Sequence, residues 1–218
     1  MDTKKYLQIC ERGNTGLKVS KEEWDLDYVI DSVREIMDEY NFSWDKNVLI
    51  PNNGQLLDKM FEAGKKLICK TGVYNISTSR IINLTEDEIN KGLRQMKTEL
   101  VMGEGKDAVT LHTRKIEDKR APVIWAGNPG CPTPEEIFYE NVLSSAKEPI
   151  IDLLTCGSLI DVDGFKVTGN HPTEVIAVCR ELEYLHKALR EVGRPGMGML
   201  AAESGVTAVG DLAAASHN

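Results

Sequence analysis

The residue best placed to do chemistry is Glu203, a carboxylate that closes a short apolar run at residues 197–202. A long helical pattern before the run ends at Gly193, and Pro195 cannot continue a helix. This order predicts a helix, a tight loop, a buried strand and a polar group at the strand's carboxyl end, where parallel α/β folds carry their chemistry. A carboxylate there can bind a cation. A helix-capping or solvent-facing glutamate is the alternative interpretation.

Three further residues are candidates for contacting a substrate at the same edge. Asn128 follows an apolar run at residues 123–127, and Cys156 closes a second run that begins at Ile150. Met199 lies within the third run. We predict that Asn128, Cys156 and Met199 bind substrate, and ordinary loop packing is the alternative for Asn128 and Cys156.

Metal and phosphate chemistry find less support in the sequence. The five cysteines are widely scattered and no pair has Cys-x-x-Cys spacing, which predicts buried reduced thiols. Gly196-x-Gly198 precedes its apolar run and lacks a following Gly-Lys-Ser/Thr sequence, so it does not match a phosphate-binding loop. We expect no bound metal ion and no directly bound cofactor.

Three apolar runs supply the strands that position these residues. They lie at residues 123–127, 150–156 and 197–202, and helical patterns separate them, so that residues 122–204 follow the order β-α-β-loop-α-β. Near-continuous apolar strands between helices are typical of a parallel sheet covered on both faces. Three strands allow either a small open sheet or the front part of a longer barrel.

Two helices are predicted between these strands. Thr133-Pro134-Glu135-Glu136 predicts the start of the first, with Thr133 as its cap. Pro172 opens the second. Its apolar stripe is predicted to run through Val175, Cys179, Leu182, His186 and Leu189.

The amino-terminal part of the chain has a different, mostly helical pattern. Ser20 with Glu23, and Thr85 with Glu88, have the spacing of capping boxes. Gly103-Glu104-Gly105 then ends the helical pattern. We therefore predict a helical amino-terminal region at residues 1–105, followed by an α/β region at residues 106–218.

Composition limits the possible partners. The chain has 218 residues, 41% of them hydrophobic and 28% charged, which is ordinary for a globular protein. A net charge of −8 argues against nucleic acid and anionic membranes as partners. The amino terminus, residues 1–6, lacks the apolar segment of a signal peptide, so we predict a cytoplasmic protein.

A series of short motifs along the chain adds a resemblance to this reading. In chain order they are Trp24-Asp25-Leu26, Arg80-Ile81 with Thr85-Glu86-Asp87-Glu88, Gly103-x-Gly105-x-Asp107-Ala108-Val109, Gly127-x-Pro129-Gly130-x-Pro132, Pro172-x-Glu174-Val175 and Gly193-Arg194-Pro195-Gly196-Met197-Gly198. In order and spacing, the sequence resembles the amino-terminal half of the monomethylamine:corrinoid methyltransferase family of methanogens.

The resemblance implies a fold and an activity. The fold is an eight-stranded (β/α)8 barrel of the TIM type with a helical amino-terminal elaboration, and residues 106–218 are then the first β/α units of an incomplete barrel. The activity is transfer of a methyl group from a small methylated amine to the cobalt of a corrinoid carried by a partner protein. In the family the amine is captured by pyrrolysine, whose ring imine forms a covalent adduct.

The pyrrolysine position corresponds to Leu200, and the family's acidic residue corresponds to Glu203, so the resemblance implies that these two residues occupy catalytic positions. Leucine has no electrophile and cannot bind an amine covalently. Ala201-Ala202 also stands where the family shows Gly-Pro. A site without pyrrolysine requires an amine that is already quaternary, because neutral amines leave poorly.

Two functional hypotheses follow. The first is a methyltransferase-like protein of the methylamine:corrinoid type, truncated and without pyrrolysine. The alternative is a non-catalytic partial-barrel module for binding or assembly, because the unpaired edges of an open parallel sheet favour association. We also expect a homo-oligomer.

Overall fold

The computed structural model describes residues 3–43, 45–51, 53–115 and 117–216. Met1 and Asp2, from the stretch used to argue against a signal peptide, lie outside the described residues. The chain divides into two units, residues 1–96 and 97–218. The division at residue 105 stays a prediction. Within the described ranges, no helix is both long and apolar enough to cross a membrane.

The first unit consists of helices and one β-hairpin. In chain order its elements are α1 (Thr3–Thr15), α2 (Lys21–Glu23), a π-helical stretch (Trp24–Ile30), α3 (Asp31–Tyr40), α4 (Gly54–Thr71), β1 (Val73–Asn75), β2 (Arg80–Ile82) and α5 (Glu86–Arg94). Strands β1 and β2 pair antiparallel. Helix α1 lies within the region predicted to be helical, although neither capping signal marks it.

Of the two predicted capping boxes in this unit, the one at Thr85 is confirmed in full, and Ser20 is confirmed as a helix cap. The Ser20 side chain accepts a hydrogen bond from the Glu23 N–H at 3.0 Å. The Thr85 hydroxyl accepts from the Glu88 N–H at 3.2 Å, and the Glu88 carboxylate accepts from the Thr85 N–H at 3.0 Å. Each bond satisfies an N–H that the first helical turn leaves without a partner.

Glu88 also ties α5 to α1. The Arg12 guanidinium donates to both carboxylate oxygens of Glu88, at 2.8 and 2.9 Å. This pair, together with the bond from the Thr85 N–H, lowers the pKa of Glu88 to about 2. A bidentate, charge-assisted pair of this kind is stronger than a neutral hydrogen bond.

In its described residues, the second unit contains a three-stranded parallel sheet, several short strand pairs and three α-helices. In chain order its elements are β3 (Glu99–Met102), a 3₁₀ turn (Gly105–Asp107), β4 (Val109–His112), β5 (Trp125–Ala126), β6 (Pro132–Thr133), α6 (Glu135–Ala146), β7 (Leu153–Leu154), β8 (Ser158–Leu159), β9 (Asp161–Val162), β10 (Phe165–Lys166), α7 (Pro172–Glu191), β11 (Gly198–Met199) and α8 (Ala208–Ser216).

The prediction of three neighbouring parallel strands is confirmed. The strand order is β11-β7-β5, with Gly198 opposite Leu153 and Trp125 opposite Leu153 on the other side. The strands are shorter than the apolar runs that predicted them. Among the smaller pairs, β3 and β4 form an antiparallel hairpin, β6 pairs with β8 in parallel, and β9 pairs with β10 antiparallel.

Helices α6 and α7 cover one face of this sheet. The buried core between them includes Phe138, Val142, Leu154, Cys156, Leu185 and Leu189. Every one of these side chains is at most 3% exposed. Burial of a large aliphatic or aromatic side chain stabilises a fold by about 1.5–3 kcal/mol, so this layer is the main source of stability in the unit.

The predicted cap of α6 is wrong. The helix begins at Glu135 with Pro134 as its N-cap, and the Thr133 hydroxyl donates instead to the Cys131 carbonyl. Asp161 supplies the missing acceptor, because its carboxylate accepts the Glu135 N–H at 2.8 Å. A contact from 26 residues away is not visible in local sequence.

Pro172 opens α7 as predicted, and Leu182 and Leu189 of the predicted stripe lie on its buried face, but the other three residues of the stripe do not. Val175, Cys179 and His186 are only half-buried. The buried face contains Thr173, Glu174, Ala177, Val178, Glu181, Leu182, Leu185, Ala188 and Leu189. Two glutamates, Glu174 and Glu181, lie on the buried face, so the spacing of apolar residues alone does not identify that face.

The glycines of the Gly196-x-Gly198 segment allow backbone to pack on backbone. A Cβ on Gly196 would lie 2.5 Å from the Glu104 carbonyl oxygen, and one on Gly198 would lie 2.6 Å from a Leu153 methyl group. The Glu104 N–H donates to the Gly196 carbonyl at 2.8 Å. These glycines are thus explained by their close contacts with the β3–β4 hairpin and with Leu153.

Replacement of Glu88 tests the α1–α5 connection. Glu88→Gln is expected to lower the free energy of unfolding by about 1–2 kcal/mol near pH 7, because an amide loses the bidentate ion pair with Arg12. Since the folded pKa of Glu88 is lowered to about 2, the contribution is complete above the ordinary carboxyl pKa and is lost as the pH falls toward 2.

Urea titrations of both proteins at several pH values, followed by circular dichroism, measure this difference. Glu86→Gln is the matched control, because Glu86 is exposed in the first turn of the same helix. A stability difference that does not shrink between about pH 5 and pH 3 would contradict the assignment to an ionised Glu88.

Candidate functional site

The carboxyl ends of the three parallel strands meet at one edge of the sheet. Beyond β7, the Thr155 N–H donates to the Ala126 carbonyl at 2.8 Å. Beyond β11, the Leu200 N–H donates to the Leu154 carbonyl at 2.9 Å. The residues that follow the strands therefore begin from adjacent, hydrogen-bonded positions.

The predicted substrate-binding and catalytic residues lie in different environments. Met199 pairs in register with Leu154 and packs against the core under the helices. Cys156 is 2% exposed in the same core. Leu200 is half-buried, and strand alternation directs it to the face opposite Met199, the face shared by Gly198 and Leu153.

Asn128 and Cys156 do come together. Both line a small cavity of about 10 Å³ between α6 and the ends of β5 and β7. Asn128 is exposed at this cavity, whereas Cys156 is buried. Met199, Leu200 and Glu203 do not line it.

Glu181 of α7 holds the backbone of the segment that follows β11. Its side chain is fully buried, and its two oxygens accept the N–H groups of Glu203 at 3.1 Å and Ser204 at 2.8 Å. The Ser204 hydroxyl in turn accepts the Leu159 N–H at 2.9 Å. The position of the Glu203 backbone is thus set by a charged group on the helix.

Glu174, two turns earlier on α7, holds the next residues of the same segment. It is also fully buried, and it accepts the N–H groups of Val206 at 2.9 Å and Thr207 at 2.7 Å, as well as the Thr207 hydroxyl. The Asn170 N–H donates to its other oxygen at 2.7 Å. Burial alone would raise the pKa of Glu174, but these hydrogen bonds outweigh it and hold the pKa below the usual value.

The electrostatics of this edge disfavour a nucleophilic cysteine. Burial raises the pKa of the Cys156 thiol well above its ordinary value, and the neighbouring carboxylates of Glu181 and Glu203 raise it further. The thiol therefore stays protonated near neutral pH, and a protonated thiol is a poor nucleophile. Cys156 can contact a ligand only as a weak polar or packing group.

The Glu203 side chain is better placed to meet a ligand. Its backbone is fixed, since its N–H donates to Glu181 and its carbonyl accepts the Ser158 hydroxyl. In the part of the chain that the structure describes, the Glu203 carboxylate has no hydrogen-bond partner. A half-buried carboxylate at a strand end can attract a cationic group.

Ala202, just before Glu203, has an unusual backbone conformation. Its φ is +72°, in the left-handed region that residues with a side chain rarely adopt. The Gly205 N–H donates to its carbonyl at 2.9 Å and closes a turn. The segment from Leu200 to Glu203 therefore carries local strain of about 1–2 kcal/mol.

Sequence reasoning missed the two glutamates that shape this site. Glu174 belongs to one of the family-like motifs, yet its burial was not foreseen. A signal did exist: Glu174 and Glu181 are seven residues apart, so they share one helical face with Ala177, Val178 and Leu185. A glutamate at such a position is expected to have a specific partner.

In the part of the chain that the structure describes, no group of three or more His, Cys, Asp or Glu side chains is arranged to hold a metal ion. His171, at the start of α7, uses its ring nitrogen to accept the Thr173 N–H as a helix cap.

Comparison with known protein families gives one extensive match. The model of the family described as monomethylamine methyltransferase MtmB matches residues 5–218 of this chain. Monomethylamine methyltransferase MtmB of Methanosarcina mazei is 31% identical over 202 residues, which are 93% of this chain and 44% of that protein. MtmB1 of Methanosarcina barkeri is 31% identical over 204 residues, with 94% and 44% coverage.

Solved structures give a consistent match. The crystal structure of the Methanosarcina barkeri monomethylamine methyltransferase (MtmB) superposes with a TM-score of 0.89 at 31% identity, covering 95% of this chain and 45% of that one. The crystal structure of a hydroxylamine MtmB complex superposes equally well. The chain thus spans less than half the length of the relatives it matches.

Glu181 provides a direct test of how the segment after β11 is held. Glu181→Gln is expected to lower the free energy of unfolding by about 1–3 kcal/mol, because one of the two buried N–H groups loses its acceptor. Hydrogen exchange at the amides of Glu203 and Ser204 is expected to accelerate. Glu174→Gln is expected instead to accelerate exchange at Val206 and Thr207.

Glu183→Gln is the matched control, because Glu183 lies on the same helix with a side chain that is 60% exposed. If Glu181→Gln and Glu183→Gln have equal effects on stability and on these amides, Glu181 does not position the segment.

Proposed function

The chain belongs to the monomethylamine methyltransferase MtmB family, and from this premise we propose that it acts in transfer of a methyl group from a methylated amine to a corrinoid protein. The observation that supports the proposal best is the superposition on MtmB with a TM-score of 0.89 across 95% of the chain. Fold and sequence agree over the same residues.

We further propose that residues 106–218 form the first β/α units of a TIM-type barrel, with residues 1–105 as a helical elaboration. The parallel order β11-β7-β5 and the helices on one face support this arrangement. Leu200 and Glu203 then lie at the edge where barrel enzymes carry their active sites. The corrinoid would be carried by a partner protein, in a cytoplasmic assembly that also contains further copies of this chain.

The substrate class follows from Leu200. We propose that Leu200 stands at the position of pyrrolysine and that the chain therefore lacks the electrophile that captures a primary amine. An amine leaves a carbon atom readily only when nitrogen departs with a full electron pair and no negative charge. A quaternary methylammonium meets this condition: the C–N bond breaks, nitrogen keeps the pair as a tertiary amine, and the methyl group passes to cobalt.

Glu203 is proposed to hold the positive charge of such a substrate. Its carboxylate has no hydrogen-bond partner among the residues that the structure describes, and its backbone is fixed by Glu181. Leu200 offers an apolar surface for the methyl groups, which suits a quaternary ammonium better than a primary one. Leu200 has no charge, so it cannot replace the electrostatic attraction to the substrate if the Glu203 carboxylate is removed.

A methyl-transfer assay tests the proposal. The chain is incubated with reduced cobalamin and, in separate reactions, with monomethylamine or a quaternary methylammonium, and methylcobalamin is followed by its absorbance. We expect transfer from the quaternary compound and none from monomethylamine. Glu203→Gln is expected to reduce transfer by about 10-fold or more, since removal of a charge-assisted contact costs at least about 1.4 kcal/mol.

Glu183→Gln, on the exposed side of α7, is the control for general effects of losing a carboxylate. Transfer from none of the amines would contradict a catalytic role for this chain. Transfer from monomethylamine alone would contradict the substrate class and leave the family reaction in place.

A further inference from the structure

One buried hydroxyl group in the second unit has no hydrogen-bond partner among the described residues. The Thr155 side chain follows β7 and is 3% exposed, and its hydroxyl oxygen is fully buried without a hydrogen bond to any of the described residues. Leaving such a group unpaired costs about 1–3 kcal/mol. Buried hydroxyls in folded proteins are nearly always paired with protein or with ordered water.

Thr155 lines a cavity that can supply the partner. The cavity lies between α6 and the ends of β5 and β7, and its volume is about 10 Å³. This is the lower limit for holding one water molecule. Its lining includes the polar residues Asn128, Thr133, Asn141 and Ser145.

The arrangement of the lining suits a small polar ligand. Asn128 and Asn141 are exposed and lie at the solvent side, whereas Thr133 and Thr155 are buried at the inner side. The Thr133 hydroxyl already donates to the Cys131 carbonyl at 2.9 Å, so it can accept one more hydrogen bond. A water molecule requires two to four polar partners, and this cavity provides that number.

We propose that this cavity is a binding site for a single water molecule, which pairs with the Thr155 hydroxyl and joins the end of β7 to α6. The inference is independent of the proposed function. A larger ligand does not fit the volume, and an ion would lie among neutral side chains without a compensating charge. The cavity is therefore a structural hydration site at the edge of the sheet.

The site is tested first by crystallography of the unsubstituted chain at a resolution that resolves ordered water. We expect density for one water within hydrogen-bonding distance of the Thr155 hydroxyl and of at least one of Asn128, Asn141 and Ser145. Thr155→Ser keeps the hydroxyl and is expected to keep the density. Thr155→Val is expected to lose or weaken it.

The melting temperature of Thr155→Val provides a second measurement whose sign decides. If water pairs with the hydroxyl, the isosteric valine leaves that water short of a partner, and the melting temperature is expected to fall by about 2–4 °C. If the hydroxyl is unpaired in a dry cavity, valine removes a penalty. An unchanged or higher melting temperature, or an empty cavity in the crystal of the unsubstituted chain, would overturn the proposal.

Discussion

Two buried carboxylates on helix α7 hold the chain where it leaves strand β11. Glu174 and Glu181 are both fully buried, and together they accept main-chain N–H groups from Glu203, Ser204, Val206 and Thr207. Burying a charge is costly unless hydrogen bonds replace the lost water. Here the donors are the N–H groups of an irregular segment, which would otherwise also lose their partners on burial.

Through these hydrogen bonds and its direct connection to β11, helix α7 positions the chain on both sides of that strand. The carboxyl end of the helix is followed by a turn that contains Gly193 and Pro195 and leads to the strand. Just before the strand, Gly196 packs against the β3–β4 hairpin. The buried face of the same helix then anchors the segment that leaves the strand. A two-residue strand is thereby fixed in register by tertiary contacts that its own short ladder could not provide.

The features that sequence predicted are those that local signals determine. The helix caps at Ser20 and Thr85 and the apolar runs that became β5, β7 and β11 depend on residues within a few positions of one another. The features that it missed depend on distant partners. Asp161 replaces Thr133 as the acceptor for the first turn of α6, and the N–H groups that Glu174 and Glu181 hold in the segment after β11 lie more than 20 residues away.

The candidate site was predictable in the same limited way. Strand order brought Leu200 and Glu203 to the expected edge, because the ends of parallel strands coincide. Which face each side chain occupies was less accessible. Cys156 and Met199 lie on the side of the sheet that faces the helices and are part of the core. Strands β7 and β11 have only two residues each, so the sequence shows too little alternation of apolar and polar residues to predict which face a side chain occupies.

The short segment from Leu200 to Glu203 is held at both ends. The Leu200 N–H is held by the Leu154 carbonyl, and the Glu203 N–H is held by Glu181. Between them, Ala202 has a φ of +72°, whereas a proline residue is restricted to a φ near −65°. The backbone of this chain cannot follow the same path there with proline. The Ala202 conformation belongs to a segment whose two ends are already held, so a proline at residue 202 would require those hydrogen bonds to shift or break.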